Sequence, residues 1–80
     1  MKIPRDLSGT DLAKALGKYG YQITRQTGSH MRLTIHLKGE HHLTIPSHAS
    51  LRIGTISAIL SEASSHLQRE KQDLAGELWG

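Results

Sequence analysis

Ser29, His30 and Arg32 are the residues of this chain whose types and spacing best suit chemistry. Gly28-Ser29 is a turn-forming pair. His30 then opens the run Met31-Arg32-Leu33-Thr34-Ile35-His36-Leu37, in which apolar and polar residues alternate strictly. A period of two predicts a half-buried strand. Met31, Leu33, Ile35 and Leu37 are expected to face a core, and His30, Arg32, Thr34 and His36 to face water. His30 and Arg32 then share one face, about 7 Å apart along the strand. Imidazole moves protons as acid or base near neutrality. Guanidinium grips a phosphate with two hydrogen bonds and stabilises charge developing on it. The pair suits work on a phosphodiester, with Ser29 and the Gly28 amide able to add hydrogen bonds.

The elements that must hold this pair are legible on either side. Ser8 is placed to cap a helix, Asp11 to complete a variant capping box, and Leu7 and Leu12 to form a hydrophobic staple. Leu12, Leu16 and Tyr19 recur on one face before Gly20, a good left-handed terminator. Lys14 and Lys18 form a basic stripe on that helix. Tyr21–Thr27 reads as a strand with Tyr21 and Ile23 inward. Gly28-Ser29 and Lys38-Gly39-Glu40 read as hairpin turns, and His41–Ile45 as a third strand stopped by Pro46. Such short connections require the strands to run antiparallel. After the loop Ser47–Ser50, a second helix runs from about Gly54 to Leu67, with Ser64-Ser65 as a possible break. The predicted class is α+β, in the order helix, three antiparallel strands, helix, with both helices on one sheet face. Residues 1–67 form the expected domain. Residues 68–80 form a polar tail whose anchors would be Leu74, Leu78 and Trp79.

Composition narrows the function classes. Eighty residues make one small domain, and the absence of cysteine excludes disulfides and thiolate metal sites. No apolar run approaches the roughly 20 residues of a membrane span, and the first residues lack a signal-peptide core. A cytoplasmic protein is expected. The net charge of +3 hides an asymmetry. Residues 1–38 carry seven basic groups against Asp6 and Asp11, while residues 39–80 carry three basic groups against five acidic ones. A basic amino-terminal half attracts polyanions. Lys14, Lys18, Arg25 and Lys38 would supply phosphate contacts, and His42 and Thr44 would border the same surface as His30. Six histidines invite a metal reading. However, His41 and His42 must face opposite sides of a strand, and no Cys, Asp or Glu completes a zinc set. No metal and no cofactor is expected.

Taken in order, Lys2-Ile3-Pro4-Arg5-Asp6-Leu7-Ser8-Gly9, Lys18-Tyr19-Gly20-Tyr21 and Arg25-Gln26-Thr27-Gly28-Ser29-His30 resemble the HicA (YcfA-like) toxin family. The likeness continues through His42-Leu43-Thr44-Ile45-Pro46-Ser47-His48 and Gly54-Thr55-Ile56-Ser57-Ala58-Ile59-Leu60. Ser64 departs from the glycine often found there, and the tail is longer than the family core needs. The resemblance implies a fold like a double-stranded-RNA-binding domain. It also implies a toxin that cleaves mRNA without a metal through one histidine, and a HicB-type antitoxin that covers the catalytic face. The histidine it points to is His30. RNA can be cut by in-line attack of its own 2′-hydroxyl on phosphorus, which needs a base at that hydroxyl and an acid at the leaving oxygen. The rival expectations are a non-catalytic RNA-binding module and a degenerate toxin that retains only antitoxin binding.

Overall fold

The first helix begins directly after Ser8. Its backbone is extended, its Oγ accepts from the Asp11 amide at 3.0 Å, and Asp11 Oδ2 accepts from the Ser8 amide at 3.3 Å. That closed capping box starts α1 (Gly9–Leu16) in the computed structural model, which describes residues 3–79. Lys2 lies outside the described residues. A single 3-10 turn, Gly17–Tyr19, tightens the end of α1, and Gly20 at φ 110° terminates it. The strands follow as β1 (Gln22–Gln26), β2 (His30–Ile35) and β3 (His41–Pro46), then come α2 (Ile53–Leu67) and α3 (Lys71–Trp79).

The sheet is an antiparallel meander in the order β1-β2-β3. Met31, Leu33, Ile35, Leu43 and Ile45 line its inner face. They are buried with Leu12 and Leu16 of α1 and Ile56, Leu60 and Ala63 of α2 in one core. Both helices therefore cover the same sheet face, in the α+β arrangement of a double-stranded-RNA-binding-domain-like fold. Gly9 is where α1 meets the sheet. A Cβ there would lie 2.0 Å from the Pro46 carbonyl oxygen, so only glycine permits this approach. The Gly9 amide donates to the His48 carbonyl and the Leu51 amide to the Leu7 carbonyl, tying the loop after β3 to the start of α1.

Four local expectations change. Ile23 pairs with Leu33 on the inner side but is 47% exposed, because the helices pack against β3 and leave the β1 edge uncovered. Leu37 is 60% exposed, since β2 ends at Ile35 and the chain has already entered the turn. Thr34 is on the outer face as expected yet is only 6% exposed, because Thr24 and His42 cover it. Finally, α2 runs unbroken through Ser64-Ser65. The Ser64 hydroxyl donates back to the Ser61 carbonyl at 3.0 Å, so the polar pair is absorbed within the helix.

Beyond α2, Gln68 takes the left-handed conformation and turns the chain into α3. Leu74 and Ala75 are fully buried. The Tyr19 hydroxyl donates to Glu77 at 2.8 Å, Arg69 pairs with Glu77, and the Arg69 guanidinium lies 5.5 Å from the centre of the Tyr19 ring. No helix among the described residues is long and apolar enough to cross a membrane.

Candidate functional site

The turn before β2 is built to hold a histidine still. The Thr27 hydroxyl accepts from the amides of His30 (3.1 Å) and Ser29 (3.4 Å), while the Thr27 amide donates to the His30 carbonyl (2.9 Å). From the other side, the Ser47 amide donates to the Ser29 carbonyl at 2.8 Å. The His30 side chain is exposed, and its Nδ1 hydrogen-bonds the Ser29 hydroxyl at 2.9 Å. With Nδ1 occupied, Nε2 is the nitrogen left for a substrate. A hydroxyl both donates and accepts, so Ser29 can follow the imidazole through either protonation state.

A bulge sets the second feature of this face. The register of β1 on β2 passes from Ile23 opposite Leu33 to Arg25 opposite Arg32, so Thr24 is an extra residue. Unbroken alternation would put Arg25 on the Ile23 side. The bulge instead carries Arg25 outward, directly across from Arg32, which is itself opposite Thr44 of β3. Opposed side chains on a sheet stand about 5 Å apart at Cβ, and like charges there repel. Two exposed guanidiniums so placed, beside His30, form a cationic patch suited to an anion with several oxygens.

The other end of the outer face carries the opposite sign. His42 Nε2 bonds Glu40 Oε2 at 2.8 Å, and His42 Nδ1 bonds Thr34 Oγ1 at 2.8 Å. Thr34 Oγ1 in turn meets Thr24 Oγ1 at 2.8 Å. His36 Nδ1 lies 3.8 Å from the second Glu40 oxygen. Glu40 is the carboxylate that gathers these two histidines, a grouping not assembled from the sequence. Residues flanking a hairpin turn become cross-strand neighbours, and that was the signal available in His36, Glu40 and His42.

Of the residues singled out from the sequence, Ser29, His30, Arg32 and Arg25 come together at one end of the sheet, with His42 further along it. Lys14 and Lys18 are exposed in the helical layer, away from this face. Lys38 sits in the β2–β3 turn at φ 58°, and its Nζ donates to the Leu67 carbonyl at 3.0 Å, closing the C-terminus of α2. No three His, Asp or Glu side chains converge as a metal-ligand set among the described residues.

A cluster that sequence reasoning did not assemble lies under the helix side. His41 pairs with Ile35 on the inner face, bonds the Tyr21 hydroxyl through Nδ1 at 2.8 Å, and stacks on His66 with ring centres 4.5 Å apart. His66 Nε2 donates to the Leu37 carbonyl at 2.9 Å. Desolvation, with the His66 charge next, lowers the His41 pKa; burial, followed by the Glu62 charge, pushes the Tyr21 hydroxyl up to about 12.

No curated protein and no solved structure matches the chain. A family model does: HicA toxin of bacterial toxin–antitoxin matches residues 9–64, from the first residue of α1 to near the end of α2, leaving α3 outside.

Proposed function

The chain belongs to the HicA toxin family of bacterial toxin–antitoxin systems, and from that premise we propose that it is an endoribonuclease acting on mRNA, with His30 as its single catalytic histidine. The observation that carries this reading is the pinned, exposed imidazole. Ser29 engages Nδ1, the turn fixes the backbone on both sides, and Nε2 is left toward the open face beside Arg32 and Arg25.

The chemistry follows from that arrangement. As the RNA 2′-oxygen forms its bond to phosphorus, the bond from phosphorus to the 5′-oxygen breaks. His30 Nε2 takes the 2′ proton while water protonates the leaving 5′-oxygen, or it protonates that oxygen while water takes the 2′ proton. Such proton transfer is worth about 10²–10⁴-fold in rate. Arg32 and Arg25 hold the phosphate and stabilise the charge it gains at five-coordinate phosphorus. Ser29 positions the ring. The reaction needs no metal.

As a toxin of such a system the chain has an antitoxin partner. A HicB-type protein that covers the His30 end of the outer face would inhibit by occlusion. The expected location is the cytoplasm, where mRNA is found.

The test is cleavage of a long single-stranded RNA in EDTA by wild-type protein and His30→Ala. The wild type should cut, and His30→Ala should retain its circular dichroism spectrum while losing at least about 10²-fold in rate. An equally active His30→Ala variant would overturn the assignment. If neither protein cuts while both retain RNA, the chain is a binding module and the nuclease reading fails.

A further inference from the structure

Bases of single-stranded RNA are held by stacking on aromatic rings as much as by hydrogen bonds. This chain has no phenylalanine. Its other large rings are all turned away from the outer face: Tyr21 is buried against His41, and Tyr19 and Trp79 pack with α3 and the core. The ring surface on the outer face is therefore supplied by histidine. His30 is committed to proton transfer in the nuclease reading, on which this inference rests.

His42 is different in kind. Both of its nitrogens are already engaged, Nε2 by Glu40 and Nδ1 by Thr34, each at 2.8 Å. Thr34 is itself buried and held by Thr24. The imidazole has no free edge to offer a base, yet its side chain is 35% exposed. What it holds toward solvent is a ring fixed in orientation by two partners. It pairs with Thr34, four residues along β2 from His30 and about 13 Å away, a span that an extended strand covers in a few nucleotides. We propose that His42 is a stacking platform for a nucleobase of single-stranded RNA, set a few nucleotides from the cleaved bond, with Glu40 and Thr34 fixing its plane. Arg25 and Arg32 supply the complementary charge for the phosphates between the two histidines.

The experiment measures binding of a short single-stranded RNA, carrying 2-aminopurine at successive positions, in a His30→Ala background that leaves the strand uncut. One position should be quenched on binding. His42→Ala and His42→Asn should relieve that quenching and weaken binding by about tenfold or more, without altering the salt dependence. His42→Phe, which keeps a ring and discards both hydrogen bonds, should bind more tightly than His42→Asn. Thr34→Val should widen the quenching over neighbouring positions by freeing the plane. Undiminished affinity and quenching in His42→Ala, with cleavage intact in the His30 parent, would overturn the platform alone. If the His42 variants lose affinity only for the antitoxin, the surface is a protein contact and the platform is likewise overturned. Failure of the His30-bearing protein to bind or cut RNA would overturn the nuclease reading and the platform together.

Discussion

At Gly9 a single methyl group separates two opposing effects. The position is the first of α1, where alanine ordinarily improves a helix over glycine by about 1 kcal/mol. Here the added carbon would lie 2.0 Å from the Pro46 carbonyl oxygen, a backbone atom that cannot swing aside. Overpacking of this kind costs about 1–3 kcal/mol, so Gly9→Ala should lower the urea midpoint, and a raised midpoint would mean that the approach is relaxed in solution. Arg25 and Arg32 make a separable prediction. If both contact phosphates, each alanine variant should flatten the slope of log affinity against log salt by about 0.7, the single-strand value. Lys38→Ala should leave that slope alone, because its ammonium is spent on the Leu67 carbonyl. His30 and Arg32 were readable from a two-residue period alone. Arg25 was not placed on their face by that period, since its direction depends on the bulge at Thr24, and nothing in Gln22-Ile23-Thr24-Arg25 announces an extra residue.

Elements show the same division between local and distant causes. The start of α1 was written in Ser8 and Asp11, which contact each other within one turn. The continuity of α2 through Ser64-Ser65 rests on a bond within the helix, whereas the docking of α3 depends on partners far along the chain. Leu74 is fully buried and Tyr19 reaches Glu77 across 58 positions. A polar composition conceals such contacts. Leu74→Ala should therefore cost about 2–5 kcal/mol, as expected of a core leucine, rather than the near-zero cost of a residue in a frayed tail. Chemical denaturation distinguishes the two. The Tyr21–His41–His66 cluster, which joins strand to α2, gives the fold its pH limits. Unfolded His41 takes a proton near 6.5, whereas the folded residue resists to a lower pH, so stability is full above about 6.5 and falls as the solution acidifies from there through the lowered value. Tyr21 works in the other direction. It ionises near 10.0 when unfolded and at about 12 when folded, so stability is full below 10 and is lost as pH climbs toward 12. Melting temperature against pH should show both limbs, and Tyr21→Phe should shrink the alkaline one to the part left by Tyr19, whose hydroxyl burial also pushes up.

For the molecule as a whole, one face of the sheet is buried beneath the helices and the opposite face stands open. The outer face is cationic around His30, Arg25 and Arg32 and anionic at Glu40, while Lys14 and Lys18 belong to the helical side. The basic amino-terminal half that the sequence displays is thus divided between two surfaces, and only part of it lies on the His30 face. The facing pair Arg25 and Arg32 has a consequence for the protein's lifetime. Vacant, they repel each other; an anion between them relieves the strain, so whatever occupies the face also holds the chain folded. Sulfate stabilises folded proteins in general, so the test is the excess: the gain in melting temperature from chloride to sulfate at equal ionic strength should shrink in Arg25→Thr, while its chloride value rises. A molecule with nothing in its grasp is the one that opens most often, and therefore the one that proteases clear first.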